Sequence, residues 1–271
     1  MSKSKIVKIS EHNTNAVFDP INHGSVVDHV VDQIETMIVT GILKEGRKLP
    51  PEREMADVLQ VSRPKLREAL KRLEADDLIV VRHGGGTFVG PLVGKAMSPA
   101  LTELYSRHQG AFFDYLEYRR EQEGFAAALA AERATDIDCE IIADILVEMD
   151  RAHETNDRKA AQKADMNFHT AIVDSSHNTT LIHMMASIYD LTQKAIFYNR
   201  DYLHTLENSA ERLLEQHHKI AQAIFDRDPK GAKKAAHDHL DYVERSVRRG
   251  YEVAKRKKTS SKMKLMSKNA S

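Results

Sequence analysis

Tryptophan is absent from this chain, and a single cysteine, Cys139, stands among its 271 residues. One thiol closes no internal disulfide and builds no cysteine-based metal site. Its ordinary role is that of a small buried apolar side chain. Aromatic residues make up only 6% of a sequence that is 41% apolar, a balance that suits a helical soluble protein. No apolar run approaches the roughly 18 residues of a membrane-spanning helix. The opening stretch "MSKSKIVKISEHNTN" has no apolar centre of the kind a secretory signal carries, so a cytoplasmic protein is expected. The length fits two ordinary domains.

Net charge is lacking as well, with 40 basic and 40 acidic residues, but the balance is uneven along the chain. Residues 1–95 carry +1, residues 96–244 carry −10 and residues 245–271 carry +9. A tail such as "KRKKTSSKMKLMSKNAS" is ordinarily solvated and disordered by composition, with attraction to phosphates as its other use.

"SVVDHVVDQIETMIVTG" repeats Val27, Val31, Ile34 and Ile38 at helical spacing and stops at Gly41. Pro50 and Pro51 then open a short helix with Glu52 and Glu54 in its first turn, where acids complement the helix dipole. In "SRPKLREALKRLEADD", Ser62 stands at the N-cap position and Leu66, Leu70 and Leu73 form a buried stripe. "LIVVRHGGGTFVG" reads as two short strands, 78–82 and 87–89, joined by Gly84, Gly85 and Gly86. No Gly-Lys-Ser/Thr follows and no helix opens there, so the glycines make a hairpin turn and not a phosphate loop.

Three helices and a hairpin are the order of a winged helix-turn-helix, whose second helix of the pair enters the major groove. Basic residues on a helix usually form only a solvated face. Here Arg63, Lys65, Arg67, Lys71 and Arg72 crowd the groove-reading helix, with Arg53 from the helix before it and Arg82 and His83 from the wing. Clustered where base contacts are made, they point to DNA.

Beyond a linker at 91–108 the pattern is almost purely helical: about 110–133, 137–154, 158–175, 179–203, 208–227 and 230–249. The breaks at "TDID", "ETND", "SSHN" and "DRDPKG" are turn chemistry, and the runs predict an antiparallel helical bundle, in which sites are built from facing helices. Asp165 and His169 stand four apart in "ADMNFH", where side chains point the same way. Two further helices offer His217 with His218, and His237 with His239. Three imidazoles and one carboxylate suit zinc or another late first-row divalent ion. Spacing alone does not choose between His217 and His218, and a single helical histidine is more often structural than a ligand. A metal-dependent enzyme acting on small organic acids is the rival reading. It needs a positioned general base, and no HExxH or similar signature appears.

"LPPEREMADVLQVSRPKLREALKRLEADDLIVVRHGGGTFV" resembles the DNA-binding domain of GntR-family bacterial transcription regulators. "YLEYRREQEGFAAALAAERAT", "ADMNFHTAIVDSSHN", "EQHHKIAQAI" and "AHDHL" are similar to the FCD ligand-binding domain of the FadR subfamily, in the branch that answers pyruvate, lactate and related acids. The resemblance implies a mainly α fold: a flexible arm (1–23), a winged helix-turn-helix (24–90), a linker (91–108), an all-α effector-binding and dimerisation bundle (109–250) and a basic disordered tail (251–271). It further implies a homodimer on a two-fold symmetric DNA operator, acting as a repressor, with a small lactate- or pyruvate-like carboxylate as effector. The metal ligands it implies are Asp165, His169, His217 and His239, holding zinc, with nickel or manganese as alternatives. Arg119 matches the arginine that pairs with the effector carboxylate, and Asn178 a turn position at the cavity. Arg53, Arg63, Arg67 and His83 match DNA-contact positions, with Ser62, Lys65 and Gly84 beside them.

Overall fold

The computed structural model describes residues 25–92, 103, 108–191 and 209–268. The arm at 1–23, most of the 91–108 linker and the stretch expected to carry helix from 192 to 203 lie outside the described residues.

Helix α1, Val26–Val39, begins with a capping box: Ser25 Oγ accepts from the Asp28 amide while the Asp28 carboxylate accepts from the Ser25 amide. Its predicted stripe, Val27, Val31, Ile34 and Ile38, is buried together with Val30. Helix α2 is Glu52–Leu59 and α3 is Arg63–Ala75. Gln60, in the left-handed region at φ 54°, ends α2. Strands β1, Ile79–Arg82, and β2, Gly86–Val89, pair antiparallel with Ile79 opposite Val89 and Arg82 opposite Gly86. Leu66, Leu70, Leu73, Ile79 and Val89 close one core with the α1 stripe, which is the winged helix-turn-helix that the sequence predicts.

Among the described residues these helices follow: α4 Gln109–Arg133, α5 Asp136–Glu154, α6 Arg158–Ser175, α7 Thr179–Leu191, α8 Ser209–Phe225 and α9 Pro229–Lys268. Thr135 and Asp138 make a capping box at α5, and Asp157 caps α6. The bundle core gathers Ala126, Ala127, Ala130, Ile142, Phe168, Met185, Ile220 and Ile224. Alanines on α4 admit close helix approach, and at Gly124 the approach is closest: a Cβ there would stand 2.2 Å from His237 Nε2. Cys139 is partly buried against this core.

Helix α9 departs from expectation. Helix was predicted to end near 249 and a disordered tail to begin at 251, yet α9 continues to Lys268. After Gly250 the segment holds no Gly or Pro and is rich in Lys, with Arg256, Met263 and Met266 among them, all good helix formers. Cations toward a helix C-terminus also suit its dipole. Composition argued for disorder; the lack of any helix breaker argues for helix.

Among the described residues the two units touch where α1 ends. Lys44 Nζ pairs with Asp174 Oδ2 at 2.6 Å, and His183 Nε2 lies 3.0 Å from the Val39 carbonyl oxygen. Gly41, at φ 77°, packs so closely on Ile182 that a Cβ would come within 2.7 Å of it. The residue that ends α1 on the sequence reading is therefore glycine for two reasons, its left-handed backbone and this contact.

Candidate functional site

At the DNA-reading unit, Arg53, Ser62, Arg63, Lys65, Arg67, His83 and Gly84 are all exposed. Ser62 precedes α3 in extended backbone but makes no side-chain cap hydrogen bond. Gly84 turns the wing at φ 71° with open space around it. The wing is stiffened from one side by Arg82, whose guanidinium lies 4.4 Å from the Phe88 ring centre. Two of the basic side chains are already engaged: Lys65 Nζ with Glu68 Oε2 at 3.0 Å, and Arg67 Nε with Glu52 Oε2 at 2.7 Å.

In the bundle, α6, α8 and α9 bring His169, His217 and His239 together, all buried, with one ligand atom from each within 4.8 Å of the others. Their ring centres are 4.5 to 5.4 Å apart. Asp165, one turn before His169, places Oδ1 3.5 Å from His217 Nε2 and 3.8 Å from His169 Nε2. The three imidazoles make a possible metal site, and the Asp165 carboxylate stands beside two of them. The two neighbours face different ways: the His217 side chain is 2% exposed, whereas that of His218 is 44% exposed and pairs outward with Asp150 Oδ1 at 2.8 Å. His237 faces Gly124 instead.

The rings are oriented from behind. His239 Nδ1 lies 3.2 Å from Gln216 Oε1, and His169 Nδ1 lies 2.8 Å from Glu123 Oε2. An oxygen behind each Nδ1 suits the tautomer with the proton on Nδ1, the one that keeps Nε2 for a metal. Burial, then His217 and His169, push the His239 pKa well below its ordinary value. This direction favours the neutral ring, the form in which imidazole ligates a metal.

Glu123 also accepts from Arg119 Nε, Oε1 to Nε at 2.6 Å, in a pair whose two side chains are each 5% exposed. Burial alone would push the Glu123 carboxyl up, but Arg119 and then His169 outweigh it and hold it below the usual carboxylate range. The same pairing keeps Arg119 charged against its own burial. The guanidinium lies 5.5 Å from the Tyr189 ring centre and 5.8 Å from that of Tyr115. The Tyr189 hydroxyl is buried and completes no hydrogen bond among the described residues; burial and then Glu123 raise its pKa. Neither Glu123 nor Tyr189 is apparent from the sequence. "RREQE" reads as one more i,i+4 pair on a helix surface. Asn178 lies at the start of α7, where its Oδ1 accepts from the Leu181 amide at 3.1 Å.

Comparison with known proteins agrees with this division. Residues 26–89 match the model for bacterial regulatory proteins of the gntR family, and residues 114–242 match that of the FCD domain. The putative L-lactate dehydrogenase operon regulatory protein of Escherichia coli K12 is 35% identical over 226 residues, covering 82% of this chain and 86% of that protein. The chain belongs to the GntR family, FadR subfamily. The Glc operon transcriptional activator of the same organism is 31% identical over 82% of this chain and 89% of its own length. Regulator LutR of Bacillus subtilis is 34% identical over 79% and 97%. This GntR regulator is accordingly a DNA-binding transcriptional regulator and not an enzyme. No helix among its described residues is long and apolar enough to cross a membrane.

Proposed function

We propose that this GntR regulator is a cytoplasmic repressor that binds a two-fold symmetric operator as a homodimer and is released by a small carboxylate of the lactate or pyruvate kind. The observation that carries the reading is the junction of Asp165, His169, His217 and His239 with the buried Arg119 through one carboxylate, Glu123. The four ligands are read as holding a divalent ion, zinc in the first place, with nickel or manganese as alternatives. When bound, such an ion supplies Lewis acidity that draws an effector carboxylate. Residues 96–244 carry −10, so an entering anion needs local positive charge, and Arg119 supplies it as charge-assisted hydrogen bonds.

On the DNA side, Arg63 and Arg67 are read as major-groove contacts near the start of α3, with Arg53, Ser62 and Lys65 at flanking positions and His83 and Gly84 on the wing. Dimerisation is assigned to residues 109–250, and 24–90 to operator reading. The Escherichia coli relative named for the L-lactate dehydrogenase operon supports the acid class. The relative named as an activator means that the sign of regulation needs its own reporter measurement.

The test uses purified full-length protein. Elemental analysis is expected to find about one divalent ion per chain, and a hydroxy or keto acid is expected to weaken operator binding. His169→Ala is expected to lose the ion and the acid response while keeping operator binding. Full ion content and full response in that variant would reduce the histidine cluster to core packing.

A further inference from the structure

We infer that Glu123 is a positioning residue that makes the metal ligands and the effector arginine one site: one carboxylate oxygen sets the ring of His169 for the ion, and the other fixes the guanidinium of Arg119 for the acid. The inference rests on the function proposed above and gives the carboxylate at its centre a specific task.

Arg119 and Glu123 stand four apart on α4 and share one face of it. His169 comes from α6. Both oxygens of Glu123 are committed, Oε1 to Arg119 Nε at 2.6 Å and Oε2 to His169 Nδ1 at 2.8 Å. Two bonds from opposite directions fix the plane of the carboxylate. The His169 proton is thereby placed on Nδ1, and the ring presents Nε2 on the side where Asp165 Oδ1 and His217 lie. On the other side, occupation of Nε leaves the terminal nitrogens of Arg119 as its carboxylate-binding edge. A small cavity lined by Glu123, Ala127, His169, Ile172, Ile220 and Ala236 abuts the same carboxylate, and the Tyr189 hydroxyl, which completes no hydrogen bond among the described residues, lies within its electrostatic reach. Movement of the carboxylate therefore acts on both arms at once: a pull on Arg119 is felt at the His169 ring.

The arrangement also explains why the residue is an acid. Both of its neighbours present N–H groups. Glutamine has one acceptor oxygen and one amino group, so one of the two contacts in Glu123→Gln becomes donor against donor.

The experiment measures zinc affinity of the full-length chain by competition with a chromophoric chelator, with and without L-lactate as the probe acid. Loss of a residue that orients a metal-bound histidine lowers affinity by about 10–100-fold, and that loss is expected for Glu123→Gln. In the wild type, lactate and zinc are expected to tighten each other's binding reciprocally, and Glu123→Gln is expected to abolish that tightening. A second variant separates positioning from folding. Arg119→Met with Glu123→Leu removes the buried pair together and leaves His169 Nδ1 no acceptor at position 123, so it leaves no lone buried charge and is expected to melt near the wild type. It is still expected to bind zinc weakly. Zinc affinity restored in the double variant would make Glu123 merely a partner for a buried charge and would overturn the inference. Wild-type zinc affinity and coupling in Glu123→Gln would overturn it as well. A wild-type protein that takes up no zinc at all would sink the function proposed above, a result distinct from either of these.

Discussion

The pairing of Arg67 with Glu52 sets up a measurement on the DNA-reading surface. A side chain that is to meet the major groove is held in the free protein by a carboxylate at the first position of α2, Nε to Oε2 at 2.7 Å. The two side chains are 64% and 42% exposed, so water screens the pair and it is worth only about 0.2–1 kcal/mol. Operator binding must break or share that contact, and it brings phosphates toward the Glu52 charge. Glu52→Gln removes both costs. If a dimer places two copies on the operator, the gain is about 0.4–2 kcal/mol, or roughly a 2–30-fold tighter complex.

Against this stands the place of Glu52 in the first turn of α2, where its charge favours the helix by about 0.3–1 kcal/mol. That loss falls on stability and not on affinity, as long as the domain stays folded. The assay is fluorescence anisotropy with a duplex selected from random sequence, repeated over several salt concentrations. Arg67→Ala serves as the control and is expected to lose about 1–3 kcal/mol per site if the guanidinium reads a guanine. Weaker binding by Glu52→Gln would refute the reasoning, because it would mean that Glu52 aims Arg67 at the groove and does not compete for it.

Two further outcomes concern stability. Arg72 and then Ser25 hold the exposed Asp28 carboxyl at about 2, below its ordinary 3.8, so its contribution is present above pH 3.8 and is lost as pH falls toward 2. Melting curves of Asp28→Asn are expected to be flatter than those of the wild type across that window, and parallel curves would count against the assignment. Gly124→Ala is expected to cost about 1–3 kcal/mol in urea denaturation, because the added Cβ would stand 2.2 Å from His237 Nε2. Most of that cost is expected to vanish in a His237→Ala background, and its persistence there would place the strain elsewhere.

What the sequence reveals follows the range of the interactions. In the winged helix-turn-helix the informative signals are local. Val27, Val31, Ile34 and Ile38 recur at helical spacing, Leu66, Leu70 and Leu73 repeat it, and all seven are buried in one core. Ser62 stands at the predicted N-cap position, yet its hydroxyl makes no capping bond, so residue type marks the boundary without revealing what the side chain does there. In the bundle, four-residue spacing singles out Asp165 and His169, but His217 and His218 are adjacent and their difference is one of facing. A rotation of about 100° along α8 sends one into the core and the other to Asp150 at the surface.

Glu123 was hidden for the same reason in stronger form. An Arg and a Glu four apart on a helix usually meet in solvent and contribute little. Here the third partner, His169, is 46 positions away on another helix, and no local pattern announces it. Burial turns a commonplace pair into a coupled one, since a charge taken out of water must keep every partner it has. The basic end of α9 errs in the other direction. Its composition suggests a chain that cannot bury enough apolar surface to fold, which is true, but a helix satisfies its own backbone without burying anything. With no glycine or proline after Gly250 to stop it, α9 carries on to Lys268. Packing explains where that helix begins, and the absence of a stop signal explains how far it goes.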